Sequence, residues 1–149
     1  MVFHTSSVEQ TETLAAQLGA LLAPGAVLAL WGGLGAGKTA FVRGLARGMG
    51  VRGRVSSPTF TLMRQHEGPV KLIHFDLYRL TPDGLDELAL DEWFGGPWVC
   101  AVEWPQNAGD LLPPERLDVT LETVGDDGRR IAVQACGTAY ESIVKELQP

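Results

Sequence analysis

The stretch "AVLALWGGLGAGKTAFVRGL", residues 26–45, decides how the rest of the chain is read. Residues 26–31 form a short apolar run, the pattern of a strand buried on both faces. It leads directly into Gly32-Gly33-Leu34-Gly35-Ala36-Gly37-Lys38-Thr39, a complete G-x-x-x-x-G-K-[ST] motif. Phe41, Val42, Leu45, Ala46 and Met49 then recur at helical spacing and end near Gly50. Strand, glycine loop and helix in this order make a phosphate-binding loop. Glycines let the backbone wrap closely around phosphates, and the helix start supplies N–H donors at its positive dipole end. Lys38 is the residue type that reaches the β- and γ-phosphates, and the Thr39 hydroxyl is the type that binds magnesium. A nucleoside triphosphate with Mg²⁺ is therefore the expected ligand.

Outward from this centre, Leu14, Ala15, Leu18, Leu21 and Leu22 mark an earlier helix, with Ser7 or Thr5 as N-cap and Pro24-Gly25 as stop. "FTLMRQ" (60–65) and "VKLIHFDLYR" (70–79), joined by the turn-like "HEGP", read as a strand pair. Thr81 and Pro82 open a short acidic helix through Leu85, Leu88 and Ala89. "WVCAVE" (98–103) is the next buried strand. "RLDVTLET" and "RRIAVQAC" alternate around an Asp-Gly turn and form a hairpin, and Tyr140, Ile143, Val144 and Leu147 suggest a closing helix. The expected fold is a single α/β domain over residues 1–149, with a central mixed, mostly parallel sheet flanked by helices and antiparallel hairpins added to it.

Composition narrows the function. The 149 residues suit one domain, and no apolar run approaches the length of a membrane span. The N-terminus has neither a basic region nor an apolar core, so a cytoplasmic location is expected. A net charge of −6 argues against a domain that grips nucleic acid alone. The small basic group of Arg43, Arg47, Arg52 and Arg54 suits either an acidic partner or a solvated helix surface. Cys100 and Cys136 lack zinc-ligand spacing and read as buried free thiols.

Two acids compete for the metal. Residues 98–102 are apolar throughout, as in a central parallel strand, whereas Lys71 and His74 interrupt residues 70–75. This favours Glu103 over Asp76, against the plainer reading of Glu103 as a surface carboxylate at a strand end. Asp76 shares a strand face with His74 and Tyr78 if that segment is extended throughout. It either positions water near the γ-phosphate or pairs with Arg79 on an exposed face; His74 alone reads as structural.

Taken together, "LGAGKT" (34–39), "SPTFTL" (57–62), "HFDLYRL" (74–80), "LDEWF" (90–94) and "VEWP" (102–105) resemble the TsaE (YjeE) family, the ATPase subunit of bacterial tRNA threonylcarbamoyladenosine biosynthesis. The resemblance implies ATP as ligand, Thr39 and Glu103 at Mg²⁺, and catalytic roles for Lys38, Asp76 and Glu103, with Asp76 aligning water. It implies a switch-like loop at "SSPTFT" with Ser57 and Thr59 near the γ-phosphate, Trp104 beside the nucleotide, and Gln10 or Thr11 touching it from the N-terminal segment. It also implies TsaB and TsaD as partners, with tRNA met only indirectly. One position departs: Gly33 stands where the family often has an acid. No arginine finger is evident in the chain; either Arg54 or Arg79 approaches the phosphates or a partner supplies the arginine. Two other readings share the motif, a small-molecule or nucleotide kinase and a non-hydrolysing nucleotide sensor.

Overall fold

The computed structural model describes residues 1–53 and 62–147. Among them, seven strands form one sheet in the order β1-β7-β6-β2-β5-β4-β3. The strands are β1 (Val2–Thr5), β2 (Val27–Trp31), β3 (Met63–His66), β4 (Leu72–Asp76), β5 (Val99–Glu103), β6 (Arg116–Val124) and β7 (Gly128–Cys136). β6, β2, β5 and β4 run parallel, while β3 at one edge and β7 and β1 at the other pair antiparallel. The mixed sheet with a parallel centre is the architecture expected from the sequence.

Helices α1 (Val8–Leu21), α2 (Lys38–Gly48) and α5 (Glu141–Glu146) lie with one hydrophobic cluster, which includes Leu18, Phe41, Leu45, Leu28, Leu30 and Val119. The opposite face buries Val27, Ile73, Phe75, Cys100 and Val102 against Leu90, which opens α4 (Leu90–Trp93), and half-buried Leu85 and Leu88 of α3 (Pro82–Leu88). Parallel strands need both faces covered, and all five residues of β5 are buried. Ser7 caps α1 by accepting from the Gln10 amide at 3.1 Å. Thr81 caps α3 through the Gly84 amide.

Four segments differ from the sequence reading. β1 was not expected: four residues are too few for alternation to register, yet Phe3 and Thr5 turn inward and the strand pairs Val2–Thr5 with β7. β4 stops at Asp76, so Tyr78 lies in the turn beyond it and shares no strand face with His74. The Asp76 carboxylate accepts from the Tyr78 amide at 3.1 Å, which closes that turn. The proline-rich connection after β5 winds into a 3-10 helix, Pro105–Leu111. Tyr140 belongs to a 3-10 turn ahead of α5, where its hydroxyl accepts from the buried Val27 amide at 2.9 Å. Cys100 is buried as expected, but Cys136 is half-buried and donates to Asp118 at 3.1 Å.

α1 and α2 approach closely because α2 presents glycines to its neighbour. A Cβ at Gly48 would meet the Ala16 carbonyl, and one at Gly44 would meet the Glu12 backbone. Ala in a helix interior gains up to about 1 kcal/mol over Gly, but overpacking here costs more, so Gly48→Ala should destabilise the fold by about 1–3 kcal/mol. Urea denaturation will show this, and an unchanged midpoint would contradict the close approach.

Burial pushes the Cys100 thiol up from 9.0 to about 12. The stability this contributes is complete below the unfolded value near 9.0 and is lost as pH rises toward about 12. Cys100→Ala should therefore flatten the alkaline arm of the stability profile. Iodoacetamide at pH 8 should label Cys100 only after denaturation, because the thiolate is the nucleophile; rapid labelling of the native chain would argue otherwise.

Candidate nucleotide and metal site

The loop between β2 and α2 carries the glycine motif, and its backbone needs those glycines. Gly35 and Gly37 sit at φ 76° and 100°, in the left-handed region, where a Cβ is strained. A Cβ at Gly33 would meet nothing within 4 Å, so packing does not demand glycine there.

Lys38, the first residue of α2, is almost wholly buried. Its Nζ donates to the carbonyls of Gly32 at 2.5 Å and Gly33 at 3.3 Å, and lies 3.6 Å from the centre of the Trp104 ring. Desolvation lowers its pKa, while the charges of Glu103 and Asp76 act in the opposite direction. The ammonium is thus held by weak, neutral acceptors and an aromatic face.

The strand register brings the two acids together. β5 lies between β2 and β4, and Glu103 is level with Leu30 on one side and Asp76 on the other. Glu103 is 3% exposed, and a buried carboxylate needs partners. Among the described residues it has two: the Thr39 hydroxyl, 3.2 Å from Oε2 and 3.4 Å from Oε1, and His74 Nε2, 2.5 Å from Oε2. Glu103 is therefore not a surface acid at a strand end. A hydroxyl and a carboxylate are hard oxygen donors, the set that Mg²⁺ prefers, and they already face one another.

Trp104 follows in a left-handed conformation, φ 56° and ψ 53°, which costs a non-glycine residue about 1–3 kcal/mol. Neighbouring bonds hold it there. The Leu77 amide donates to the Glu103 carbonyl at 3.1 Å, the Asn107 amide to the Trp104 carbonyl at 3.1 Å, and the Asn107 side chain to the Leu77 carbonyl at 2.8 Å. Tyr78 packs on the indole with ring centres 4.8 Å apart.

A cavity of about 330 Å³ opens between these parts, lined by Leu34 to Ala40, Asp76, Tyr78, Glu103 and Trp104. Gly32 and Gly33 are not part of this lining and offer their carbonyls to Lys38. Gln10 and Thr11 do not line it. The Gln10 side chain accepts from the Ser6 amide at 2.6 Å, and the Thr11 hydroxyl, buried, meets that of Thr5 at 2.7 Å. Gln10 instead lines a separate hollow with Phe3, His4 and Thr13. Ser57 and Thr59, with Arg54, lie outside the described residues. Arg79 is exposed and not part of the cavity lining, and Arg43 is engaged by Glu12 at 3.0 Å.

Two site residues escaped the sequence reading or were undervalued by it. His74 is fully buried against Glu103, where local pattern suggested a structural histidine. Arg129 of β7 braces the glycine loop across 93 residues: Nε donates to the Ala36 carbonyl at 2.9 Å and a terminal nitrogen to the Gly35 carbonyl at 3.3 Å. The signal was present in the alternation of β7, because Arg129 continues the face that buries Ile131 and Val133. Hydrogen bonds from a charged group are worth about 1.5–3 kcal/mol. Arg129→Ala should therefore weaken binding of a fluorescent ATP analogue by about tenfold and lower the melting temperature by several degrees. Unchanged affinity would remove the bracing role.

The family model described as threonylcarbamoyl adenosine biosynthesis protein TsaE matches residues 5–131. The tRNA threonylcarbamoyladenosine biosynthesis protein TsaE of Bacillus subtilis is 42% identical over 146 residues, covering 97% of this chain and 92% of that one. Its Treponema pallidum namesake is 37% identical over 128 residues, with 85% and 95% covered. The crystal structure of Bacillus subtilis YdiB superposes with a TM-score of 0.87 at 38% identity, over 99% of this chain and 93% of that one. With a family match over most of its length, relatives near 40% identity and a solved structure of the same fold, the chain belongs to the TsaE family.

Proposed function

We propose that this protein binds ATP with Mg²⁺ and hydrolyses it to support threonylcarbamoylation of adenosine 37 in tRNAs that read codons beginning with A. The observation that carries the nucleotide reading is the Thr39 hydroxyl facing the buried Glu103 carboxylate at the mouth of a complete phosphate loop. The names of the relatives support the pathway.

In this reading the loop amides and the N-terminus of α2 receive the phosphates. Lys38 exchanges its two carbonyl acceptors and the Trp104 face for β- and γ-phosphate oxygens, which are stronger acceptors. Thr39 and Glu103 would hold Mg²⁺, which offsets charge on the β- and γ-phosphates when bound. Asp76, level with Glu103 on the adjacent strand and part of the cavity wall, orients the attacking water for in-line displacement. TsaB and TsaD are the proposed partners in the cytoplasm, and tRNA is met through them; a net charge of −6 suits a subunit that does not grip RNA itself. Among the described residues no helix is long and apolar enough to cross a membrane.

ATP labelled at the γ-phosphate tests the reading. Label should appear as inorganic phosphate, slowly with the chain alone and faster with TsaB and TsaD. Glu103→Gln should lower the rate by about 100-fold or more, the scale of losing metal-ion charge stabilisation. Label on an acceptor molecule would point to a kinase, and tight binding without turnover to a sensor. An equal rate with and without the partners would count against the coupling.

A further inference from the structure

His74 stands out among the buried polar groups. Its side chain is fully enclosed, Nε2 lies 2.5 Å from Glu103 Oε2, and Nδ1 has no partner among the described residues. A carboxylate only accepts, so Nε2 is the donor of this pair and carries the proton. The pairing follows from the register of two parallel strands. Asp76 is level with Glu103 and His74 with Ala101, so all four side chains rise from the same face of the sheet. His74 therefore reaches Glu103 diagonally, across Ala101, whose single methyl leaves room for an imidazole to lean.

An apolar side chain would fill this position without leaving a buried nitrogen orphaned, which costs about 1–3 kcal/mol. What the imidazole supplies is a fixed donor on one oxygen of the acid that, on the reading above, faces the metal. His74 engages Oε2, and the Thr39 hydroxyl lies across both oxygens, 3.2 Å from Oε2 and 3.4 Å from Oε1.

We propose that His74 is a positioning residue for the metal site: its Nε2–H holds Glu103 in the rotamer that presents the carboxylate, together with Thr39, to Mg²⁺. Donors behind a ligating group fix its orientation, and their loss typically weakens metal affinity by about 10–100-fold. The proposal rests on the Mg²⁺–ATP assignment and adds the origin of the site's cation affinity. Phosphate-loop contacts do not pass through His74, so nucleotide binding without metal should be independent of it.

The test is a Mg²⁺ titration of a fluorescent ATP analogue bound to the intact chain, with a parallel measurement in EDTA. In His74→Leu the Mg²⁺ concentration for half-maximal effect should rise by about 10–100-fold, with affinity in EDTA unchanged. His74→Gln, whose amide nitrogen falls near the place of Nε2, should stay close to wild type. His74→Asn, too short to reach Glu103, should behave as His74→Leu, so the Gln and Asn pair decides the matter even if the Leu variant does not fold. The proposal is overturned if the Mg²⁺ midpoint of the Leu and Asn variants matches wild type, if Gln shifts as far as they do, or if affinity in EDTA falls along with the metal response. A wild-type chain whose nucleotide affinity ignores Mg²⁺ would overturn the metal assignment itself, and this proposal with it.

Discussion

A carboxylate buried at the end of a central strand cannot stand without partners, and the site is organised around that constraint. Glu103 ends β5, a strand with no exposed residue, and is itself 3% exposed. Leaving such a charge unpaired would cost several kcal/mol. Its partners come from different elements: Thr39 from the start of α2, and His74 from β4. Only the strand order β2-β5-β4 places all three together, because β5 enters the sheet between two strands that precede it in the chain. The glycine loop, the acid and the histidine are thus fixed by one topological fact.

The second organising feature is the way Lys38 is kept. Its ammonium is buried, bonded to loop carbonyls and covered by Trp104, so burial lowers its pKa while two nearby acids restrain the shift. Trp104 pays for its position with a left-handed backbone, sustained by the bonds that Leu77 and Asn107 make around it. Backbone strain of this kind persists where surrounding structure over-determines it, and it gathers at functional sites. Arg129 completes the arrangement from the far edge strand pair by holding the Gly35 and Ala36 carbonyls. The loop is shaped by contacts that lie outside the motif.

Much of this was legible in the residues. The apolar run before Gly32, the glycine spacing and the amphipathic residues after Lys38 specify strand, loop and helix because each pattern has one inexpensive backbone solution. The uninterrupted apolarity of residues 98–102 ranked Glu103 above Asp76, and burial on both faces of β5 is the physical counterpart of that pattern. By contrast, β1 is too short for periodicity to identify, and the apolar pattern that carries on to Tyr78 does not reveal that β4 ends at Asp76. Gln10 and Thr11 carry no local pattern, and their side chains are occupied near the N-terminus, by the Ser6 amide and the Thr5 hydroxyl. The Ser57 and Thr59 assignments concern a segment beyond the described residues.

By itself, the sequence determined the α/β class, the strand–glycine loop–helix unit and the order of its elements, since these depend on contacts between residues close along the chain. The tertiary structure decided which side chains meet across it: Glu103 with Thr39 and His74, Lys38 with Trp104, Arg129 with the loop carbonyls. Those encounters depend on strand order and register, and a one-residue slip would turn each strand side chain to the opposite face. Hydrophobic periodicity chooses the face a residue occupies, but it does not choose its neighbour. That is why His74 looked structural in its own strand and became part of the site only beside β5.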